Sequence, residues 1–136
     1  MFRLTNTAVK YGVSLPTKAS RRAAGHDFYM PCNIVLLPNS ITQIKSGVCC
    51  VQYPEGTYLQ LIERSSKTKY GFSVLGGVCD PDYHKELIFT VRNASSDSIY
   101  ISSGERWVQG IFVYYVNPVE LGHLMSNRQA SGASGN

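Results

Sequence analysis

The chain has 136 residues, 43% of them hydrophobic and 16% charged, which is enough apolar material for the core of one domain and excludes an intrinsically disordered protein. Thirteen Lys and Arg residues against nine Asp and Glu give a net charge of +4, far less than the dense basic surface of a nucleic-acid-binding protein. No apolar run approaches the roughly 20 residues of a membrane span, and the N-terminal segment lacks the apolar stretch of a secretory signal, so we expect an intracellular protein, cytoplasmic or nuclear.

Seven segments rich in Val, Ile, Tyr, Phe and Thr are predicted as β-strands, in chain order Ile34–Leu37, Ile41–Val51, Thr57–Ile62, Phe72–Leu75, Glu86–Arg92, Ser98–Ile101 and Val108–Val116. Turn-forming residues separate these segments at intervals of about 10 residues, as in all-β sandwiches, jelly rolls and small barrels. No window of about 11 residues or more keeps the 3.6-residue apolar period of an amphipathic helix, so any helix should be short.

The last segment, 126–136, is rich in Gly, Ser and Asn. Its composition favours a frayed terminus, and the functional alternative is a flexible arm that orders over a ligand and contacts an anionic group through Arg128. We therefore divide the chain into a β-barrel domain, 1–125, and a flexible C-terminal arm, 126–136.

The four cysteines, Cys32, Cys49, Cys50 and Cys79, form no C-x-x-C pair and have no histidine at ligand spacing. This pattern argues against a zinc site and favours reduced thiols. Cys49 and Cys50 are adjacent in a predicted strand, so at most one of them should face the core.

Three segments interrupt the alternation of strands and turns and carry groups that can do chemistry. Ala23–Asp27 places a carboxylate after small residues, and Arg64–Gly71 combines a guanidinium, hydroxyls and ammonium groups that match phosphate oxygens, although a solvated hairpin loop is equally compatible with it. Gly76–Tyr83 pairs two glycines, which permit close approach of a ligand, with the carboxylates of Asp80 and Asp82.

Taken in order, these segments resemble the motifs of the trimeric dUTPase (dUTP diphosphatase) family. Ala23-Ala-Gly-His-Asp-Phe-Tyr29 is similar to A-A-G-Y-D-L-Y, and Glu63-Arg-Ser-Ser66 is similar to P-R-S-G. Gly76-Gly-Val-Cys-Asp-Pro-Asp-Tyr83 resembles G-x-G-V-I-D-x-D-Y, and Gly104-Glu-Arg-Trp-Val-Gln109 resembles G-[DE]-R-I-A-Q. Four motifs in the family order make a strong signal, and the likeness covers about 21–116.

The resemblance implies a jelly-roll-like β-barrel that forms a homotrimer, with active sites at the subunit interfaces. It also implies Mg²⁺-dependent hydrolysis of dUTP to dUMP and pyrophosphate. The phosphate chain would be bound by the side chains Arg64, Ser65, Ser66, Gln109 and Arg128. By the same resemblance, Asp27 would hold the Mg²⁺ ion through its water ligands.

The rest of the substrate would be bound by the third motif and the hairpin before it. Asp80 would activate a water for in-line attack on the α-phosphorus, and Tyr83 would pack under the deoxyribose. The hairpin from about Phe72 to Val78, including Val74 and Gly77, would read the uracil through backbone groups. Arg106, in the fourth motif, is as compatible with a structural ion pair as with phosphate binding.

Two alternatives depend on departures from the family motifs. Glu63 replaces the proline of the second motif, His84-Lys85 replaces an Arg-Gly pair, and Ala133 lies near the position of the aromatic residue of a fifth motif. These departures leave open a dUTPase-derived scaffold that is catalytically weak or inactive and binds protein partners. A dCTP deaminase of the same superfamily is disfavoured, because the glutamate that it requires is Thr90 here.

Overall fold

The computed structural model describes residues 1–119, Gly122 and Met125. It contains ten strands: β1 Phe2–Leu4, β2 His26–Tyr29, β3 Ile34–Leu36, β4 Ser40–Cys50, β5 Thr57–Glu63, β6 Phe72–Val74, β7 Val78–Cys79, β8 Glu86–Asn93, β9 Ile99–Ile101 and β10 Arg106–Tyr114. The α-helix α1 spans Asn6–Tyr11, and a 3₁₀ helix spans Ser65–Tyr70. The predicted all-β fold with only short helices is therefore confirmed over the described residues.

The strands form two four-stranded antiparallel sheets and one two-stranded sheet. The first sheet has the order β1-β4-β8-β6, the second has the order β2-β10-β5-β7, and β3 pairs with β9. The chain passes repeatedly from one four-stranded sheet to the other, as the jelly-roll-like arrangement requires. Each sheet therefore contains strands from both halves of the sequence.

One hydrophobic core lies between the two sheets. The period of two along β8 buries Leu87, Phe89 and Val91 on one face of the strand. Across the core, the ring of Phe28 in β2 packs edge-to-face against the ring of Phe89, with centroids 5.3 Å apart. Such aromatic contacts between layers combine burial with a preferred ring geometry.

The sequence analysis found seven strands within one or two residues of most of their ends, but it missed β1, β2, β7 and α1. These elements have between two and six residues, too few to show a period of their own, and β7 exists because Leu59 and Gln60 of β5 pair with it. Among the described residues, no helix is long and apolar enough to cross a membrane. The compartment, the domain boundary at residue 125 and the arm 126–136 stay predictions, and the arm lies outside the described residues.

All four cysteines are free thiols, as predicted. Cys50 and Cys79 are buried, whereas Cys32 and Cys49 are partly exposed, so only one of the adjacent pair faces the core. Burial, together with the neighbouring Cys50 and Asp80, raises the pKa of Cys79 to about 11, and burial also raises the pKa of Cys50.

Asn93, at the end of β8, is fully buried and fixes three segments of the chain with one side chain. Its amide nitrogen donates to the backbone carbonyls of Leu36 at 3.0 Å, Leu37 at 3.2 Å and Asp97 at 2.8 Å. Its amide oxygen accepts from the backbone N–H of Ser95 at 3.0 Å and from the Ser95 hydroxyl at 2.8 Å. A buried amide with this many partners holds the two-stranded sheet against the first sheet.

We expect Asn93→Leu to lower the free energy of unfolding by about 3 kcal/mol and the Tm by roughly 10 °C, because buried backbone groups lose their partners. Asn33→Ala is the matched control, since the side chain of Asn33 accepts a single bond from the Ser103 N–H at 2.9 Å. Thermal unfolding followed by circular dichroism measures both. Equal losses of Tm in the two variants would contradict this account of Asn93.

Iodoacetamide at pH 8 should alkylate Cys32 and Cys49 and spare Cys50 and Cys79 in the folded protein. A thiol with a pKa near 11 is ionised in only about one molecule in a thousand at that pH, and burial further limits access to the reagent. Peptide mass spectrometry reads out each site, with the unfolded chain as the control in which all four react. Rapid labelling of Cys79 in the folded state would show that its surroundings are open.

Candidate active site

Three strands of the second sheet bring Asp27, Arg64 and Gln109 together. In the register of the sheet, Gln109 of β10 lies opposite Asp27 of β2 on one side and Ile62 of β5 on the other. Arg64 directly follows β5, and Ser65 and Ser66 begin the 3₁₀ helix. A cavity of about 210 Å³ lies here. Its wall consists of Ala19, Ala23, Ala24, Gly25, Asp27, Arg64, Ser65, Ser66 and Gln109. We call this cavity the phosphate pocket.

The carboxylate of Asp27 is buried between two guanidinium groups. Its Oδ1 lies 3.3 Å from Arg64 Nε, and its Oδ2 lies 3.4 Å from Arg106 Nη1. Asp27 is only 5% exposed, so these arginines supply the pairing that a buried charge requires. Two cations face one anion, which leaves a surplus of positive charge at the pocket, and Arg106 makes the structural ion pair that the sequence left open.

Arg64 is held by its backbone as well as by its side chain. Its N–H donates to the carbonyl of Trp107 at 2.9 Å, and its Nη1 donates to the carbonyl of Arg106 at 3.2 Å. The protein therefore orients the guanidinium in the absence of a ligand. Its Nε and Nη1 make these contacts, and its Nη2 takes part in none of them. A fixed guanidinium with the hydroxyls of Ser65 and Ser66 beside it suits an anionic oxygen cluster.

Gly25 leaves room in the pocket wall for the side chain of Gln109. A Cβ at this position would lie 2.6 Å from Oε1 of Gln109 and 3.2 Å from the carbonyl of Gly110. The other end of the Gln109 amide, Nε2, donates to the carbonyl of Glu63 at 3.2 Å. The absence of a side chain at Gly25 thus gives the Gln109 amide its place in the pocket.

A second cavity, of about 190 Å³, lies beside β7 and contains the third motif. Its wall consists of Leu61, Leu75, Gly77, Val78, Cys79, Asp80, Tyr83, Leu87, Ile88 and Thr90. Gly77 has a φ of +77° and packs against the carbonyl of Leu61 so closely that no side chain fits, while its own carbonyl accepts from the Leu61 N–H at 2.7 Å. We call this cavity the nucleoside pocket.

The turn from Asp80 to Tyr83 is fixed by hydrogen bonds at both ends. The Tyr83 N–H donates to the Asp80 carbonyl at 2.9 Å, and the Tyr83 hydroxyl donates to the Glu86 carbonyl at 2.6 Å. Tyr53 donates its hydroxyl to the Tyr83 carbonyl at 2.7 Å. Asp80 itself is exposed at the mouth of the pocket, where its carboxylate can meet water.

The two pockets both adjoin β5 and lie at different positions along the second sheet. Asp27 is on β2, at one edge, and Cys79 is on β7, at the other, so three strand spacings of about 4.8 Å each separate them, roughly 14 Å in all. Arg64 follows β5, the strand beside β7, and Cys79 pairs with Leu59, so a separation of about 16 Å along β5 lies between Cys79 and Arg64. A general base must lie within hydrogen-bond reach of its water, and this spacing sets the backbone of Asp80 well away from the backbone of Arg64 in the same chain.

The structure thus groups the predicted site residues into two sets. Asp27, Arg64, Ser65, Ser66 and Gln109 line the phosphate pocket. Gly77, Val78, Asp80 and Tyr83 line the nucleoside pocket.

Two predicted residues fall in neither set. Val74 is outside both walls, with its N–H bonded to the Glu63 side chain at 3.0 Å, and Arg128 lies outside the described residues. The sequence analysis missed Leu61, Leu87 and Ile88 as pocket residues. Apolar residues in strands carry no signal that separates a pocket wall from a core.

The chain was compared with protein families and with individual proteins of known sequence. The dUTPase family model matches residues 12–136. The deoxyuridine 5'-triphosphate nucleotidohydrolase of Paramecium bursaria Chlorella virus 1 is 33% identical over 104 residues, which cover 76% of this chain and 73% of that protein. The enzyme of the same name from Anaplasma marginale is 31% identical over 123 residues, covering 87% of this chain and 80% of that protein.

Solved structures show the same fold. The EIAV dUTPase superposes with a TM-score of 0.71 at 23% identity, covering 85% of this chain and 89% of its own. A mutant dUTPase of Staphylococcus bacteriophage 80alpha with dUpNHpp superposes with a TM-score of 0.74 at 21% identity, covering 87% of this chain and 83% of its own. The family match over nearly the whole chain, together with these relatives, shows that the chain belongs to the dUTPase family.

Proposed function

We propose that this protein hydrolyses dUTP to dUMP and pyrophosphate in the presence of Mg²⁺. The observation that carries the proposal is the division of the motifs into a cationic, hydroxyl-lined pocket and a separate pocket with Gly77, Asp80 and Tyr83. A nucleoside triphosphate has the same two parts, a polyanion and an uncharged nucleoside. The names of the relatives, deoxyuridine 5'-triphosphate nucleotidohydrolases, support dUTP as that nucleotide.

The phosphate pocket binds the triphosphate through charge and directed donors. Arg64 contributes a guanidinium already oriented by Asp27, and Ser65, Ser66 and Gln109 contribute neutral donors. Exposed Lys18, Arg21 and Arg22 lie in the loop that carries Ala19 and Ala23 of the pocket wall, and they extend the positive field. Arg128 of the C-terminal arm adds a further phosphate contact in this proposal.

In the nucleoside pocket, the backbone of the hairpin around Val74, Gly77 and Val78 reads the uracil edge, and the Tyr83 ring packs under the deoxyribose. Asp80 accepts a proton from a water molecule, whose oxygen attacks the α-phosphorus. The bond from the α-phosphorus to the bridging oxygen breaks, and pyrophosphate leaves with that oxygen. A positioned general base contributes a rate factor of roughly 10²–10⁴, and the cations at the phosphates stabilise the charge that develops.

The donor set fits a magnesium ion that the substrate brings with it. No cluster of three or more His, Cys, Asp and Glu side chains occurs in the described part of the chain, so these residues build no protein cage for a metal. Mg²⁺ characteristically keeps several waters and binds through one or two carboxylates together with substrate phosphates. Asp27 would hold such waters through the lone pairs left free by its two arginines, and the bound ion would neutralise charge on the phosphate oxygens.

We infer from the spacing of Asp80 and Arg64 that a neighbouring chain completes each active site. In the proposed homotrimer, the nucleoside pocket of one protomer faces the phosphate pocket of the next, and a threefold arrangement closes this head-to-tail contact into a ring. Each active site then holds Asp80 from one protomer and Arg64 from another. The shared site is thus proposed from the geometry of one protomer, and the number of three protomers is proposed from family membership.

Two alternatives, a catalytically weak or inactive scaffold and a dCTP deaminase, differ from this proposal in the reaction that they catalyse. Thr90 lines the nucleoside pocket, where its hydroxyl lacks the acid–base capacity of a carboxylate, and this favours hydrolysis over deamination. Glu63 turns its carboxylate to the Val74 N–H, so this departure from the family motif has a structural use that does not require loss of catalysis.

Pyrophosphate release from dUTP with Mg²⁺ is the direct test, with UTP, dCTP and dTTP in parallel. We expect release from dUTP, suppression by EDTA, and a loss of about 10²-fold or more in kcat for Asp80→Asn, which cannot accept the proton. Asp82→Asn is the matched control and should retain activity, because Asp82 is not in the pocket wall. A folded protein that releases nothing from any nucleotide would favour the scaffold, and ammonia release from dCTP would favour the deaminase.

A mixture of two inactive variants tests the shared active site. Arg64→Ala and Asp80→Asn protomers, unfolded and refolded together in equal amounts, should recover about one quarter of wild-type activity, because that fraction of interfaces joins an intact Asp80 to an intact Arg64. Each variant refolded alone serves as the control. No recovery from mixed oligomers would show that both residues act within one chain.

A further inference from the structure

We propose that Glu63 is a positioning residue that fixes the base-binding hairpin against the phosphate-binding segment. The proposal rests on the function assigned above and goes beyond it, because the family motif has a proline at this position. Glu63 is the last residue of β5 and directly precedes Arg64. Its carboxylate bonds to the hairpin, and its main chain bonds to the phosphate pocket.

The hairpin has a backbone N–H, at the edge of the first sheet, that no neighbouring strand of that sheet accepts. Strand β6 is an edge strand that pairs with β8 alone, with Val74 opposite Val91 and the next N–H, of Leu75, bonded to the Thr90 carbonyl at 2.8 Å. In an antiparallel ladder, alternate residues bond to the partner, so the N–H of Val74 points away from β8. Glu63 Oε1 accepts this N–H at 3.0 Å.

The main chain of Glu63 belongs to the phosphate pocket. Its carbonyl accepts from Nε2 of Gln109 at 3.2 Å, and the next residue, Arg64, donates its N–H to the Trp107 carbonyl at 2.9 Å. One residue therefore contacts a phosphate-binding side chain through its backbone and the hairpin through its carboxylate. The segment around Arg64 is also held by these contacts with β10 and by the ion pair with Asp27. The N–H of Val74, in contrast, has the Glu63 carboxylate as its partner.

The other limb of the hairpin is attached to the same strand. Leu61 donates its N–H to the Gly77 carbonyl at 2.7 Å, and Gln60 Nε2 donates to the Gly76 carbonyl at 3.3 Å. With the bond from Val74 to Glu63, β5 holds both limbs of the hairpin. The bond to Glu63 fixes the limb that contains β6 of the first sheet. It thereby sets the distance between the two limbs, whose backbone groups contact the base.

A proline at position 63 has no side-chain acceptor, so the family motif leaves this N–H to another partner. A glutamate supplies the acceptor, and the charge of the carboxylate strengthens the bond. The geometry therefore predicts a specific effect: loss of the acceptor weakens binding of the nucleoside part of the substrate and leaves binding of the phosphate part unchanged.

Glu63→Leu removes the acceptor, Glu63→Gln keeps an oxygen at the same place, and Glu55→Leu is a control at an exposed turn. Calorimetry measures the Kd of dUMP and, separately, of pyrophosphate with Mg²⁺. For Glu63→Leu we expect the Kd of dUMP to rise about tenfold and that of pyrophosphate to change less than about twofold. Glu63→Gln and Glu55→Leu should stay within about twofold of wild type for both ligands.

The proposal is overturned if Glu63→Leu binds dUMP like wild type, if both Kd values rise together, or if Glu63→Gln behaves like Glu63→Leu. Hydrogen exchange of the Val74 amide in the wild-type protein is a second measurement that needs no variant to fold. Slow exchange supports the bond to Glu63, and exchange at the rate of an exposed amide overturns it. A wild-type protein that binds no dUMP would refute the proposed function instead, and the exchange result would still report on the bond itself.

Discussion

The structure depends on the position of β10 between β2 and β5. The antiparallel ladders on its two sides set Gln109 opposite Asp27 and Ile62, and the same ladders bring Arg64 to the end of the neighbouring strand. Gly110, the next residue of β10, makes this packing possible, because a Cβ there would lie 2.9 Å from the Phe28 ring and 3.0 Å from the Leu59 side chain. The phosphate pocket thus results from the register of β10 with its two neighbours and from the close packing of Phe28 and Leu59 against Gly110.

Electrostatics then adapts the pocket to an anion. A carboxylate buried next to one arginine would give a neutral pair, but Asp27 has two, so it orients two cations and only partly cancels their charge. Burial makes the orientation strict, since a charge removed from water must be paired. The pocket is preorganised in this sense: its donors are fixed by the protein and do not wait for the ligand.

Much of this arrangement could be predicted from the sequence, and the remainder could not for physical reasons. Strands with a clear period of two, such as β8, and motif residues such as Asp80 and Arg64 are local properties of the chain. The partner of Asp27, Arg106, is distant in sequence, and the edge positions of β2 and β7 depend on pairings that involve four strands. The proposed role of Glu63 was missed because the sequence shows only that this residue departs from the family motif, and not that its side chain turns to the backbone of the hairpin.

The contribution of β5 to both pockets also has a genetic consequence. In the proposed trimer every protomer takes part in two active sites, and β5 carries structural elements of both. A substitution that disturbs β5 in one protomer therefore damages two of the three sites in an assembly that contains two normal copies. Heterozygous or co-expressed variants of this strand would then act dominantly, and residues of β5 should tolerate less variation than residues of an equally buried strand that serves a single site.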